Sequence, residues 1–218
     1  MSALEFSVSG MEADVYGASP AIVARIHLLE TTGALVHTIA LRCQVRIEPQ
    51  RRAYGADIEG LGDLFGTRRR WSETLKPFLW AHTATMVPGF KGETEVALSI
   101  PCTYDFEVAA TKYLHAVRDG DIPLALMFSG TMFTRGTTGF QVEQIPWNSD
   151  IECLMPTQVW RDTMDAFFPG GGWIRASVAT IDALDRFRTD RGFTSWEETL
   201  TVLLGDGMAP RALEETRP

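Results

Sequence analysis

The chain has 218 residues, 45% apolar and 10% aromatic, enough to bury a sizeable core, and this excludes a wholly disordered polypeptide. Against 28 Asp and Glu stand 20 Lys and Arg, a net charge of -8, which disfavours a nonspecific grip on nucleic-acid or membrane phosphates. The opening MSALEFSVSGMEADV lacks a basic stretch leading into an apolar run, and no segment approaches bilayer length, so the expectation is a cytoplasmic protein without membrane insertion, whose default partner is a protein or a small molecule.

In chain order, LEFSV (4–8) and AIVARIHLL (21–29) show weak alternation. IALRCQVRIE (39–48) alternates strictly, with Ile39, Leu41, Cys43, Val45 and Ile47 on one side. FLWAHTATM (78–86), TEVALSI (94–100), PLALMFSGTMF (123–133) and FQVEQI (140–145) continue the pattern, and TTG (31–33), PGFKGE (88–93) and RGTTG (135–139) supply hairpin chemistry. About eight strands joined in this way suggest an antiparallel β-sandwich or an open barrel, of which the sandwich, with seven to nine strands, is the expectation. The buried set is expected to include Leu41, Cys43, Val45, Leu98, Ile100, Leu126, Phe128, Trp160 and Phe167.

One helix interrupts the strands: Ala110, Tyr113, Leu114 and Val117 recur at helical spacing, with Gly120 as a stop. After Pro156 three more follow. The first carries Trp160, Thr163, Met164 and Phe167 and closes at PGGG (169–172). The second runs from Ser177 to Gly192 with Val178, Ile181, Leu184 and Phe187 on or near its inner face. The third opens on a capping box of Ser195 and Glu198 and carries Leu200, Leu203 and Leu204 to Gly205. The fold class is therefore α+β, a β-sandwich core with one inserted helix and a C-terminal helical segment packed on it. Residues 1–155 form the strand-rich part, 156–205 the helical part and 206–218 a flexible tail, and the whole is expected to unfold as one cooperative unit.

Chemistry is sparser. In LFGTRRRW, Arg68, Arg69 and Arg70 would fan over about 200° of a helix, so at most two can face one anion or partner, with Thr67 as N-cap. The plainer expectation is a short connecting helix with Leu64, Phe65 and Trp71 as anchors and the arginines divided between solvent and Asp57, Glu59 or Asp63. In CTYDFEV, a strand would place Asp105 and Glu107 about 7 Å apart on one face, the spacing of an acid–base pair; the alternative is a polar face complementing the next helix. FPGGGW follows a helix, and reads as a helix exit rather than a phosphate loop. Cys43, Cys102 and Cys153 show no CxxC spacing and fit reduced, buried thiols; His27, His37, His82 and His115 are scattered, so no metal site and no cofactor is expected. No nucleic-acid-binding signature accompanies the single basic cluster.

Read in order, LFGTRRRW, PCTYDFEVAATKYLHAVRDGDIPLALMFSGTMF, QIPWN and WRDTMDAFFPGGGW make the chain, from about Leu4 to Leu204, resemble a family of bacterial proteins that form a domain of unknown function. The resemblance implies a genomic neighbourhood of nickel–iron hydrogenases and their maturation factors, and supplies no catalytic residues. What it implies is a non-enzymatic binding or accessory protein with a protein partner, a hydrogenase or a maturation factor. The alternative is a small-molecule-binding protein or enzyme with a pocket between sheet and helices near Arg70, Asp105 and Glu107; a structural, oligomer-forming role is the third reading, with the oligomeric state left open.

Overall fold

The computed structural model describes residues 4–55, 60–103, 105, 108–136, 139–171 and 176–208, with backbone alone at 147, 148 and 206–208. These residues form seven strands: β1 (Leu4–Ala13), β2 (Ala21–Glu30), β3 (Leu35–Ile47), β4 (Phe78–Lys91), β5 (Glu93–Pro101), β6 (Asp121–Gly136) and β7 (Gly139–Pro156). They make two antiparallel sheets, ordered β1-β2-β5 and β4-β3-β6-β7.

Alternation decides which faces meet. Ile22, Ala24, Ile26 and Leu28 of β2, with Leu98 and Ile100 of β5, are buried from the smaller sheet. Ile39, Leu41, Cys43, Val45 and Ile47 of β3, with Leu124, Leu126 and Phe128 of β6, are buried from the larger. Phe6 of β1 stacks on Phe128 of β6 at 4.4 Å, which joins the sheets face to face as a sandwich. Each of the buried Ile, Leu, Val and Phe side chains contributes about 1.5 to 3 kcal/mol by leaving water.

Two of the expected hairpins are crossings between sheets. TTG leads from β2 to β3, which lie in different sheets, and β4 likewise hands over to β5 across the sandwich. PGFKGE is not a turn throughout. Strand β4 runs through Pro88 and Gly89 to Lys91, and only Gly92, at φ 78°, reverses the chain. An edge strand tolerates Pro88 because its outer backbone groups need no partner. RGTTG does close a hairpin, with Gly136 opposite Gly139. Strand β7 then runs on to Pro156, past the expected end at Ile145, because one register step between Phe128 and Gly130 absorbs the extra residues and restores pairing from Ser149.

Helix α3 (Ala109–Ala116) buries Ala110, Tyr113 and Leu114, and Val117 just beyond it, as the spacing requires. Between β3 and β4 lie two single-turn helices, α1 (Gly62–Phe65) and α2 (Trp71–Thr74). Helix α4 (Thr157–Phe167) buries Trp160, Thr163 and Met164 against β1, β2 and β7. Phe167 is only half-buried, contrary to expectation: it ends the helix, and Phe168 packs on the core beside it.

The chain divides into two compact units, Met1–Trp173 and Ile174–Pro218, so α4 belongs with the strands. The second unit holds α5 (Val178–Arg191) and α6 (Trp196–Met208). The Ser177 hydroxyl caps α5 by accepting from the Thr180 N–H, and Gly192, at φ 68°, ends it. No residue of α5 is buried. Val178 and Ile181 are exposed, whereas Leu184 and Phe187 are half-buried, so the expected inner face is only partly realised. The capping box is half present: the Ser195 hydroxyl accepts from Glu198 N–H at 3.1 Å, while the Glu198 carboxylate reaches one residue past the cap and accepts from Thr194 N–H at 3.3 Å. Helix α6 continues through Gly205 and Gly207 to Met208, because each glycine costs only about 1 kcal/mol in a helix. Among the described residues no helix is long and apolar enough to cross a membrane.

Candidate functional site

The arginine run forms a helical turn, but a tight one of three residues, Arg68–Arg70, that leads into α2. Thr67 has the extended backbone of an N-cap, yet its side chain makes no capping bond. Arg68 is committed to the chain itself. Its guanidinium donates to the carbonyls of Gly55 at 2.8 Å and Tyr54 at 3.0 Å, and lies 5.6 Å from the Trp71 ring centre. Trp71 is half-buried, donates from its ring N–H to Gly66 O at 3.1 Å and meets Tyr54 edge-on at 5.3 Å. Tyr54 in turn shares a 2.9 Å hydroxyl contact with the fully buried Tyr113. Burial pushes both phenols up, so neither ionises near neutrality.

Arg69 and Arg70 are exposed, and neither has an ion-pair partner among the described residues. Asp57 and Glu59, expected as partners, lie outside the described residues. The arginine held most tightly is one that sequence reading passed over: Arg52 donates to Asp121 O and Asp119 O at 2.5 Å each and to the Asp119 carboxylate at 2.9 Å. It clasps the turn between α3 and β6, against Gly120, where a Cβ would approach its Nη1 to 3.4 Å.

Of the expected carboxylate pair, Asp105 does not sit on a strand. Strand β5 ends at Pro101, and Asp105 lies in a turn whose Thr103 hydroxyl accepts from the Asp105 N–H at 3.2 Å, while the Val108 N–H donates to Asp105 O at 3.0 Å. Local side-chain and backbone bonds of this kind compete with strand pairing. Glu107 lies outside the described residues, as do Gly172 and Trp173 of FPGGGW. Cys43, Cys102 and Cys153 are free, with thiols pushed by burial up to about 12, 12 and 11. Among the described residues no cluster of His, Cys, Asp and Glu could hold a metal ion.

A more distinctive surface lies on the outer face of the four-stranded sheet. The registers align Met86, Ala40, Thr131 and Gln144 in one row across β4, β3, β6 and β7, and Pro88, Thr38, Phe133 and Val142 in the next. Phe140 opposes Arg135 at the tip, and its ring meets His37 edge-on at 4.7 Å. Phe140 is 71% exposed, Met86 61% and Val142 59%. The polar members of these rows satisfy themselves: Thr38 Oγ1 donates to Val87 O at 2.9 Å, and Gln144 Nε2 donates to Thr131 Oγ1 at 3.1 Å. A sheet face so composed is apolar in effect, and such patches mark contact surfaces.

Sequence reading found weak alternation in FQVEQI and assigned none of its residues to the core. The structure turns Phe140 and Val142 outward and Ile145 inward. The signal was present: Phe140 and Val142 stand at even positions and Ile145 at an odd one, so one strand cannot bury all three.

The model of a family of unknown function (DUF6084) matches residues 1–211, and the chain belongs to that family. No curated protein and no solved structure matches it.

Proposed function

We propose that this member of the family is a non-enzymatic binding or accessory protein that holds a protein partner on the outer face of its four-stranded sheet. The observation that carries this reading is the apolar area formed by exposed Met86 on β4, half-buried Phe133 on β6 and exposed Phe140 and Val142 on β7. Solvent-facing positions of a half-buried sheet are ordinarily polar, and an exposed apolar area of this kind gains free energy only when something covers it. The genomic neighbourhood implied by the family resemblance makes a nickel–iron hydrogenase, or a factor that matures one, the first partner to test.

The experiment is co-purification of the tagged chain beside a Val142→Asp, Met86→Asp variant. An untagged protein that follows the native chain through two columns and is lost with the variant, while the thermal melt is unchanged, is the expected result. Retention of that protein by the variant would move the contact elsewhere. Unchanged hydrogenase activity after loss of the gene would remove the specific partner.

A further inference from the structure

We propose that the segment received by this sheet face is an acidic amphipathic helix of the partner, an inference that rests on the docking reading above. Three cations bound the apolar area. Arg42 pairs with Ala84 and Ser129 at its inner end, and Lys91 and Arg135 stand at the tip opposite Leu35 and Phe140. Among the described residues none of the three is in an ion pair. Glu143, at the same end, pairs with Met132 and so turns to the other side of the sheet. Among the described residues the nearest carboxylate on this face is Asp150, which pairs with Met127 beyond the Arg42 row. In a chain of net charge -8, the apolar area is thus framed, among the described residues, by positive charge alone.

The dimensions suit one helix. Seven residues of β3 separate Arg42 from Leu35, about 23 Å at strand rise, and four strands span about 14 Å from first to last. A helix with side chains is about 10 to 12 Å across, and 23 Å of it takes about 15 residues. Acidic residues at both ends of its apolar stripe would meet Arg42 on one side and Lys91 with Arg135 on the other. Charges at the rim of an apolar contact govern orientation and the rate of encounter, and they exclude partners of like sign. An anionic lipid surface shares the attraction to cations, but three cations offset little of the repulsion that a net charge of -8 meets there.

The test selects binders to the immobilised full chain from a displayed library of random peptides. The tightest peptide is then titrated against the native chain, against Phe140→Ser with Val142→Ser, and against Arg42→Gln with Lys91→Gln and Arg135→Gln, at low and high salt. Enriched peptides should be amphipathic and net negative. The apolar variant should bind at least about tenfold more weakly, and the cation variant about tenfold more weakly at low salt with the difference shrinking at high salt, both with unchanged melting. Peptides without a negative bias, or a cation variant that binds as the native chain does, would overturn the acidic helix while leaving the docking reading intact. Indifference to both variants would overturn both readings. Flotation with phosphatidylserine vesicles that depends on the same cations would assign the face to a lipid surface and overturn the helix.

Discussion

The two halves of the outer face of the four-stranded sheet are built on the same strands and by the same alternation, yet they face water differently. The half nearer α4 presents Arg42, Gln44, His82, Asp150 and Glu152, with Leu79 and Leu154 standing singly on opposite edge strands. There Glu152 is paired with Arg51 at 2.7 Å. The half toward the β6–β7 hairpin presents Met86, Pro88, Phe133, Val142 and Phe140, with its cations unpaired among the described residues. Strand pairing is therefore indifferent to what the outer side chains do. Backbone bonds and the inner face hold the sheet, which leaves the outer face free to vary.

The seam between the halves is the place to break the comparison. Gly130 sits there at φ 149°, and a Cβ on it would lie 2.1 Å from Ala40 O. Gly130→Ala is expected to cost about 5 kcal/mol, measured by denaturant unfolding, because both the backbone angle and the close approach to β3 forbid a side chain. A loss below about 1 kcal/mol would mean that β3 and β6 separate there without harm.

Next in size is the inner face. Phe128, 1% exposed and stacked on Phe6, should cost about 3 to 5 kcal/mol when truncated to Ala, read from the same unfolding curves. A near-neutral result would contradict its place between the sheets.

A smaller effect is expected at Glu30, a buried carboxylate that ends β2 where the chain crosses to the larger sheet. Burial alone would raise its pKa, but hydrogen bonds from the Thr32 hydroxyl and N–H, with the nearby N–H groups of Gly33 and Ala34, outweigh it and hold the carboxyl below its usual range. Because the folded value is the lower one, this stabilisation is fully present above the unfolded value, about 4.3, and is lost as pH falls through the folded value. Glu30→Gln should cost about 1 to 2 kcal/mol at neutral pH and flatten the acid limb of stability against pH. An acid limb identical to that of the native chain would assign acid sensitivity to other carboxylates.

The smallest effect sharpens the comparison most. Phe140→Ala changes the same residue type on the same sheet as Phe128→Ala, but on the exposed half, and should alter stability by no more than about 0.5 kcal/mol. A loss of several kcal/mol by thermal or denaturant unfolding would show that the hairpin is covered within the chain.

Sequence pattern alone determined the strands, most of the core and the stripes of α3 and α4, because alternation and helical spacing report burial within a single element. Leu41, Cys43, Val45, Leu98, Ile100, Leu126, Phe128 and Trp160 are buried where pattern placed them. Helix ends at Ser177, Gly192 and Ser195 were legible for the same reason, since a cap is a local bond. Tertiary structure decided what depends on neighbours. TTG is turn chemistry in any context, but whether it closes a hairpin or crosses a sandwich depends on which strand waits beyond it. Asp105 could belong to a strand or a turn, and the bonds around Thr103 chose the turn. Arg68 reads as charge in the sequence, yet in the fold it serves as a donor to two carbonyls. The apolar face exists only in register, since Met86 lies far along the chain from Phe133 and Val142 and joins them only because β3 pairs with β4 on one side and with β6 on the other.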